Sequence, residues 1–208
     1  MKLGLFGGSF DPIHRGHVAP VQEARRRLGL ERVLYLPTGQ PPHKTARRVA
    51  PPLARFAMVE LALLAAEGLY VSGHELLQAG PAYTVETLEH FRAARPDAEL
   101  HLLLGSDALT ELVTWRRWRE LVEMARLVVL QRPGWSPSEL RQGLPPEVVA
   151  AIETGRILLL ATTPCDVSAS RLRDHLRRGE TPPRGHLHPL VLDYARKYHL
   201  YDEEPPPL

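Results

Sequence analysis

The most informative stretch of this chain is residues 2–17, which read Lys2-Leu3-Gly4-Leu5-Phe6-Gly7-Gly8-Ser9-Phe10-Asp11-Pro12-Ile13-His14-Arg15-Gly16-His17. Its first part, Lys2–Phe6, is an apolar run that two glycines bring to an end, and this pattern predicts a short buried strand. Apolar residues then recur at helical spacing over His17–Leu28, and Gly29 follows as a C-terminal stop, so a helix is predicted there. We expect the chain to open with a strand, a glycine turn and a helix.

Strands and helices are predicted to alternate along the rest of the chain. Each predicted strand is apolar through its whole length, which is typical of a parallel sheet covered on both faces. We therefore expect a Rossmann-like, doubly wound α/β fold with a mostly parallel sheet and helices on both faces. Thr84 and Ser168 are expected to cap two of the helices. The predicted strands are Arg32–Leu36, Leu69–Ser72, Glu99–Leu104, Arg126–Leu130 and Ile157–Ala161, and the predicted helices are Leu53–Ala66, Tyr83–Ala94, Trp115–Met124, Ser168–Arg178 and Pro189–His199.

Composition is that of an ordinary globular protein. Of 208 residues, 44% are hydrophobic and 24% are charged, fractions that argue against a disordered chain. We expect one domain over residues 1–201, with a C-terminal helical part at about 168–200 and a flexible tail at 202–208. Basic residues are dispersed among acidic ones, so neither nucleic acid nor a membrane is an expected partner. The single cysteine, Cys165, and the absence of a secretory signal predict a cytoplasmic location.

The predicted ligand site lies at the carboxyl ends of the strands, where doubly wound sheets bind ligands. The loop after the first strand, the turn Gly105-Ser106-Asp107 and the loop leading to Ser168 all fall there. Two glycines after the first strand let a ligand approach the backbone closely, and the next helix offers free N–H groups and a positive dipole end to a phosphate. The chain has no Walker A loop and no Gly-x-Gly-x-x-Gly fingerprint, so its phosphate loop is of another kind.

His14 and His17 are three positions apart at the start of the predicted helix, and in its first turn they would share a face. Such a pair is also compatible with ordinary surface histidines, or with a zinc site completed by His186 and His188. No His-Glu-x-x-His sequence is present, and no further group has metal-ligand spacing. We therefore expect no metal held by the protein itself.

Residues 7–17 resemble the signature of the nucleotidylyltransferase superfamily, whose His-x-Gly-His motif corresponds to His14–His17. The segment Ser168-Ala169-Ser170-Arg171-Leu172-Arg173 resembles the second signature of that superfamily, Ser-Ser-Thr-x-Ile-Arg. The resemblance extends over about Lys2–Tyr201 and is greatest to the bacterial nicotinate-nucleotide adenylyltransferases. The closer match is carried by Pro41-Pro42-His43-Lys44, Gly80-Pro81-Ala82-Tyr83-Thr84, and Gly105-Ser106-Asp107 with Trp115.

This resemblance implies transfer of the adenylyl group of ATP to nicotinate mononucleotide, giving nicotinate adenine dinucleotide and pyrophosphate, with Mg²⁺ accompanying the ATP. The acceptor phosphate is already ionised at neutral pH, so catalysis needs positioning and charge neutralisation rather than a general base. The implied catalytic residues are His14, His17 and Arg173. The implied ATP-binding residues are Gly7, Gly105, Asp107, Ser168 and Ser170, and the implied acceptor-binding residues are Gly8, Ser9, Lys44, Tyr83, Thr84 and Trp115.

Four positions depart from the family pattern, and alternatives to the implied function stay open. Trp115 and Trp118 could both belong to the core, and Arg116 stands where the family often has an aromatic residue, which bears on the pyridine pocket. The acceptor could instead be nicotinamide mononucleotide or phosphopantetheine, or the chain could be a non-catalytic nucleotide-binding protein. The oligomeric state is not readable from the sequence. The other departures are Ser9 for Thr, Ala169 for Ser and Leu172 for Ile.

Overall fold

The structure is a computed structural model that describes residues 1–39, 49–78, 80–131 and 141–202. Within these ranges the strands form one six-stranded sheet, and every neighbouring pair is parallel. The strands are β1 (Lys2–Gly8), β2 (Arg32–Pro37), β3 (Leu69–Val71), β4 (Glu99–Gly105), β5 (Arg126–Leu130) and β6 (Ile157–Leu160), and their order in the sheet is β3-β2-β1-β4-β5-β6.

The described helices connect the strands and continue beyond the last one. Their bounds are α1 (Arg15–Leu28), α2 (Pro52–Leu63), α3 (Thr84–Ala94), α4 (Ser106–Thr110), α5 (Trp118–Met124), α6 (Pro146–Glu153), α7 (Ala169–Arg177) and α8 (Pro189–Lys197). None of the described helices is long and apolar enough to cross a membrane.

Helix ends follow the sequence at most of the predicted positions. Gly29 ends α1 in the left-handed conformation at φ 64°, which glycine adopts without steric cost. Ser168 is the N-cap of α7, as predicted, although its hydroxyl bonds the Ser170 hydroxyl at 2.8 Å instead of the helix backbone. The prediction that Thr84 caps α3 is wrong, because Tyr83 occupies the N-cap and Thr84 is the first helical residue.

Helices cover both faces of the sheet, and each face has its own hydrophobic cluster. Because side chains alternate along a strand, Phe6 of β1 packs in one cluster with α1, α2, α7 and α8, whereas Leu5 packs in the other with α3, α5 and α6. Leu103 and Leu104 of β4 divide between the two clusters in the same way. The predicted doubly wound α/β fold with helices on both faces is confirmed.

Strand order places a crevice between β1 and β4. The chain leaves β1 towards β2 and β3, but it leaves β4 in the opposite direction towards β5 and β6. These two strands are neighbours, with Leu5 opposite Leu102, so the connections that follow them diverge at the same edge of the sheet. Open α/β sheets bind ligands at this kind of switch point.

Candidate active site

The first turn of α1 holds the two histidines of the His-x-Gly-His sequence against each other. His14 is the N-cap, with extended backbone, and it is 6% exposed. Its backbone N–H donates to Nδ1 of His17 at 3.3 Å, and the two imidazole rings stack with centroids 3.8 Å apart. The structure therefore brings both imidazoles to one face at the start of the helix, where the backbone N–H groups point towards the crevice edge.

Gly16 is required by the close approach of the His14 ring. A Cβ atom on Gly16 would lie 3.0 Å from Cε1 and 3.1 Å from Nδ1 of His14, closer than side chains normally pack. The same Cβ would meet the carbonyl oxygen of Val167 at 3.5 Å, so the segment before α7 lies directly beside the first turn of α1.

The ring of His17 packs against an aromatic cluster. Phe10 has a positive φ of 47°, an unfavourable conformation for a bulky residue, and its ring is 1% exposed. The ring lies 5.3 Å from the His17 ring at 87° and 5.5 Å from the Tyr35 ring. The Tyr35 hydroxyl donates to the His17 carbonyl at 3.0 Å. These contacts hold both the ring and the backbone of His17 in place.

Arg173 of the second signature reaches the loop that carries the first. Its Nη1 donates to the carbonyl oxygen of Asp11 at 2.6 Å and lies 3.7 Å from Oδ2 of the same residue. Arg173 is 9% exposed and Asp11 is 4% exposed, so this contact is buried. Helix α7 therefore lies beside the start of α1. Ser168 is the N-cap of α7, and Ser170 and Arg173, three positions apart, share a face of this helix.

Arg55, in α2, ties together three loops at this edge of the sheet. It is 1% exposed, and all of its described bonds go to backbone carbonyls. Nε donates to Ala50 at 2.9 Å, Nη1 to Ser9 at 2.8 Å, and Nη2 to Thr38 at 2.7 Å and Gly39 at 2.9 Å. Burial lowers the pKa of this guanidinium, and the charge of Asp11 opposes that shift. The loops after β1 and β2 are thereby joined to the segment before α2.

The end of β4 provides the second side of the crevice. Gly105 is the N-cap of α4, Ser106 is fully buried, and Asp107 is exposed in the first helical turn. The sequence predicted a turn at these residues, whereas the structure begins a short helix at Ser106 because its backbone N–H and C=O groups pair locally. Gly105 is the last residue of β4, the strand that neighbours β1, and Asp107 lies two positions beyond it.

The residues assigned to the acceptor ring lie around the start of α3 and before α5. Tyr83 is half-buried, and the guanidinium of Arg116 lies over its ring at 4.6 Å while bonding Glu86 at 3.0 Å. Trp115 is half-buried at the border of the second hydrophobic cluster, whereas Trp118 is buried within it. Thr84 is the first residue of α3. Gly7 and Gly8 are the last two residues of β1, Ser9 follows the strand, and Lys44 lies outside the described residues.

A buried carboxyl group, Glu75, supports the start of α3. Thr87 donates its hydroxyl to Oε1 of Glu75 at 3.0 Å, and burial raises the pKa of the Glu75 carboxyl. The backbone of Glu75 also approaches Gly39, where an added Cβ would meet the Glu75 carbonyl oxygen at 3.0 Å. Glu75 thus links α3 to the loop after β2.

The sequence did not identify Asp11, Arg55, Glu75 and Tyr201, whose hydrogen bonds connect the segments around the candidate site. Asp11 lies inside the quoted signature, but its carboxylate partners come from distant parts of the chain. Arg55 did leave a signal, because it interrupts the apolar face formed by Ala54, Met58 and Val59 in α2. Tyr201 left none, since its bond to Asp11 spans 190 positions.

Among the described residues, no group of three or more His, Cys, Asp and Glu side chains could hold a metal ion. The groups that do converge near the crevice are imidazoles, a guanidinium, hydroxyls and helix N-termini, which suit phosphate oxygens. This donor set fits a magnesium ion held mainly by the phosphates of a nucleotide and by water.

Comparisons with known proteins show the family of this chain. Residues 5–175 match the family model described as cytidylyltransferase-like. A probable nicotinate-nucleotide adenylyltransferase of Chromobacterium violaceum is 39% identical, over 96% of this chain and 98% of that protein. One of Aeromonas hydrophila is 41% identical, over 96% of each chain. The solved Plasmodium falciparum nicotinic acid mononucleotide adenylyltransferase complexed with NaAD shares the fold, with a TM-score of 0.77, 18% identity and 98% of both chains covered. The chain therefore belongs to the cytidylyltransferase-like family and, within it, to the nicotinate-nucleotide adenylyltransferases.

Proposed function

We propose that this chain transfers the adenylyl group of ATP to the phosphate of nicotinate mononucleotide, giving nicotinate adenine dinucleotide and pyrophosphate. The observation that carries the proposal is the buried bond from Arg173 Nη1 to the Asp11 carbonyl, which joins the two signature segments across 162 positions. It joins a guanidinium in the middle of α7 to the loop that leads into the stacked imidazoles of His14 and His17. Family membership supports the same reaction.

In the proposed reaction an acceptor phosphate oxygen attacks the α-phosphorus of ATP. A bond forms between that oxygen and the α-phosphorus, and the bond from the α-phosphorus to the oxygen bridging to the β-phosphate breaks. The attacking oxygen carries its charge already, so no residue has to remove a proton. The chain has to align the two phosphates and neutralise the charge that grows on the transferring and leaving groups.

His14 and His17 would donate to oxygens of the α-phosphate, where charge develops in the transition state. Arg173 would hold the β- and γ-phosphates, because a guanidinium can donate two parallel bonds to phosphate oxygens. Ser168 and Ser170 would offer hydroxyls and the N-terminal N–H groups of α7, and Gly7 would allow the nucleotide to approach the backbone. Gly105 and Asp107 would bind the adenosine ribose, with the carboxylate accepting from its hydroxyls.

The acceptor would lie on the other side of the switch point. Gly8 and Ser9 would hold its phosphate, with Lys44 as a second phosphate contact. Tyr83 and Thr84 would meet the nicotinate carboxylate through the start of α3, and Trp115 would stack on the pyridine ring. The N–H groups at the start of α3 would favour an acidic ring over its amide, because an amide presents the wrong groups to N–H donors.

Magnesium accompanies ATP in this proposal, and when bound it neutralises part of the charge on the polyphosphate. The ion would rest on phosphate oxygens and water. Protein atoms would then act on the phosphates directly, from the first turns of α1 and α7.

The test is pyrophosphate release from ATP and magnesium with nicotinate mononucleotide, nicotinamide mononucleotide and phosphopantetheine as separate acceptors. We expect release far faster with nicotinate mononucleotide. The variant His17→Ala should lose about 10²–10³-fold in kcat, the usual loss on removing one donor to a transition-state oxyanion. His175→Ala is the matched control, since its ring pairs with Glu180 near the C-terminal end of α7.

Each outcome of this test separates two functions. Preference for another acceptor would leave the phosphate chemistry in place and contradict the acceptor pocket. Binding of ATP by the wild-type chain with no release from any of the three acceptors would contradict the adenylyl-transfer proposal and favour a nucleotide-binding protein. Undiminished turnover in His17→Ala would show that His17 takes no part in the reaction.

A further inference from the structure

A buried chain of contacts leads from Tyr201, the last tyrosine of the sequence, to Arg173. The hydroxyl of Tyr201 donates to Oδ1 of Asp11 at 2.9 Å, and Tyr201 is 7% exposed. Arg173 then contacts Asp11 through the carbonyl at 2.6 Å and faces Oδ2 at 3.7 Å. Asp11 is therefore the link between the C-terminal segment and the guanidinium assigned to the polyphosphate.

Both oxygens of the Asp11 carboxylate have defined surroundings. Oδ1 accepts from the Tyr201 hydroxyl and, at 3.2 Å, from the backbone N–H of Ala50. These two donors fix the plane of the carboxylate, and Oδ2 is thereby the oxygen that faces Arg173. Because the group is 4% exposed, water has little access to replace either donor.

Arg173 and Oδ2 of Asp11 are too far apart to form a closed ion pair. A charge-assisted bond between a guanidinium and a carboxylate is about 2.7–2.9 Å long, so 3.7 Å is too long for a closed pair. The carboxylate is near enough to orient Arg173 electrostatically, yet it does not take up the guanidinium donors in a bidentate pair. The charge of Arg173 thus stays available to a phosphate.

The charges of two guanidinium groups act on this one carboxylate. Arg55 gives its described bonds to four backbone carbonyls, and the charge of Asp11 raises the pKa of its guanidinium against the effect of burial. Without the Tyr201 hydroxyl, the Ala50 N–H would be the remaining described donor to Oδ1, and the carboxylate could rotate further towards Arg173. Rotation onto Arg173 would close the pair and compete with phosphate for the same N–H groups.

We propose that Tyr201 is a positioning residue for adenylyl transfer, which holds the Asp11 carboxylate so that it orients Arg173 without neutralising it. This inference rests on the proposed function only in taking Arg173 as a ligand of the ATP phosphates. Burial and the adjacent Asp11 charge also raise the pKa of the Tyr201 hydroxyl well above its usual range, so the hydroxyl keeps the proton that it donates.

The experiment is a double-mutant cycle on the full chain, read as the dissociation constant for ATP with magnesium. Tyr201→Phe removes the hydroxyl and keeps the ring. We expect it to weaken ATP binding by about 3- to 10-fold, the effect of one hydrogen bond, while binding of nicotinate mononucleotide changes by less than about twofold. In the Arg173→Ala background the same substitution should have almost no effect on ATP binding, because the residue through which it acts is gone.

Tyr198→Phe is the matched control, because this tyrosine is in the same C-terminal segment but is 54% exposed, and it should leave ATP affinity unchanged. If Tyr201→Phe weakens ATP binding equally in both backgrounds, or in neither, the proposal is overturned. Where Tyr201→Phe does not fold, Tyr201→Met, which also lacks the hydroxyl, takes its place in the cycle with the same expectation. Loss of the proposed function is a separate result, seen as a wild-type chain that binds ATP but releases no pyrophosphate with any acceptor.

Discussion

Arg55 shows how a single residue can join several backbone segments beside the candidate site. Its guanidinium donates to carbonyls of Ser9, Thr38, Gly39 and Ala50, and these belong to segments that would otherwise be separate loops. Each carbonyl would be left without this donor if the side chain were apolar. A lysine could not replace it, since an ammonium is a point charge and lacks the planar fork that spans several acceptors.

We predict that Arg55→Leu lowers the free energy of unfolding by about 3–5 kcal/mol, which is typical of breaking a buried charged network. Urea unfolding followed by circular dichroism measures this change. Arg119→Leu is the control: its guanidinium is exposed and paired with Glu147, so a change within about 1 kcal/mol is expected. Equal urea midpoints for Arg55→Leu and the wild type would show that the four bonds contribute nothing net.

Residue-level prediction from the sequence succeeded where a contact depends on neighbours in the chain. His14 and His17 share a helical turn, so their spacing alone predicted that they would lie together, and their rings stack at 3.8 Å. Asp11, Arg55 and Tyr201 depend instead on contacts between distant segments. Nothing in the local pattern around Tyr201 indicates that its hydroxyl meets residue 11, because that contact exists only once the sheet and α8 are formed.

At the scale of elements, α1 is shaped by its first turn. Glycine inside a helix is usually unfavourable, and replacing it with alanine typically gains up to about 1 kcal/mol in an exposed helix. Gly16 stands in α1 despite this preference, because a Cβ atom at this position would lie 3.0 Å from the His14 ring. The helix gives up intrinsic stability so that the imidazole can lie over its backbone.

We predict that Gly16→Ala lowers kcat by about tenfold or more, because the His14 ring must move by some tenths of an ångström or change rotamer. The midpoint of thermal unfolding should stay near the wild-type value, since helix propensity offsets the contact. Steady-state pyrophosphate release and a thermal melt measure the two effects. Gly143→Ala serves as the control, as its Cβ would meet no atom within 4 Å; wild-type kcat in Gly16→Ala would contradict the tight fit.

Some helix bounds differ from the predicted ones, and the local backbone conformation explains the difference. The helix predicted from Trp115 begins at Trp118, because Arg117 takes a left-handed φ of 54° and acts as its N-cap. The helix predicted to reach Ala66 ends at Leu63, and the next residue, Leu64, is 63% exposed. Helices α4 and α6 were not predicted; α4 has only five residues, too few for a periodic pattern.

For the whole molecule, the sheet order determines which distant segments can meet. Central β1 and β4 bring the loops at residues 9 and 106 to one edge, and α7 and α8 return over the face that carries α1 and α2. This return is what allows Asp11 to contact both Arg173 and Tyr201. Alternation of strands and helices was sufficient to predict the fold class, but the pairing of the second signature with the first depends on the full topology.

A buried carboxyl should make the stability of the whole molecule depend on pH. Burial raises the pKa of Glu75 above the ordinary value of 4.5, so the folded chain holds this proton more tightly than the unfolded chain does. Below the ordinary value the group is neutral in both states, and its favourable contribution is fully present. As pH rises through the folded-state pKa, the buried group must ionise and that contribution is lost.

We predict that Glu75→Gln gains stability over the wild type as pH is raised, since the amide cannot ionise but still accepts the bond from Thr87. Urea midpoints of both proteins at about pH 4 and about pH 8 measure the difference, and it should be larger at the higher pH. Buried His101, whose pKa is lowered by burial, is present in both proteins, so its titration cancels in the comparison. Glu67→Gln, at an exposed position, should show no such pH-dependent gain. Parallel stability curves for Glu75→Gln and the wild type would mean that the folded and unfolded chains bind the Glu75 proton equally, which would contradict a raised pKa in the folded chain.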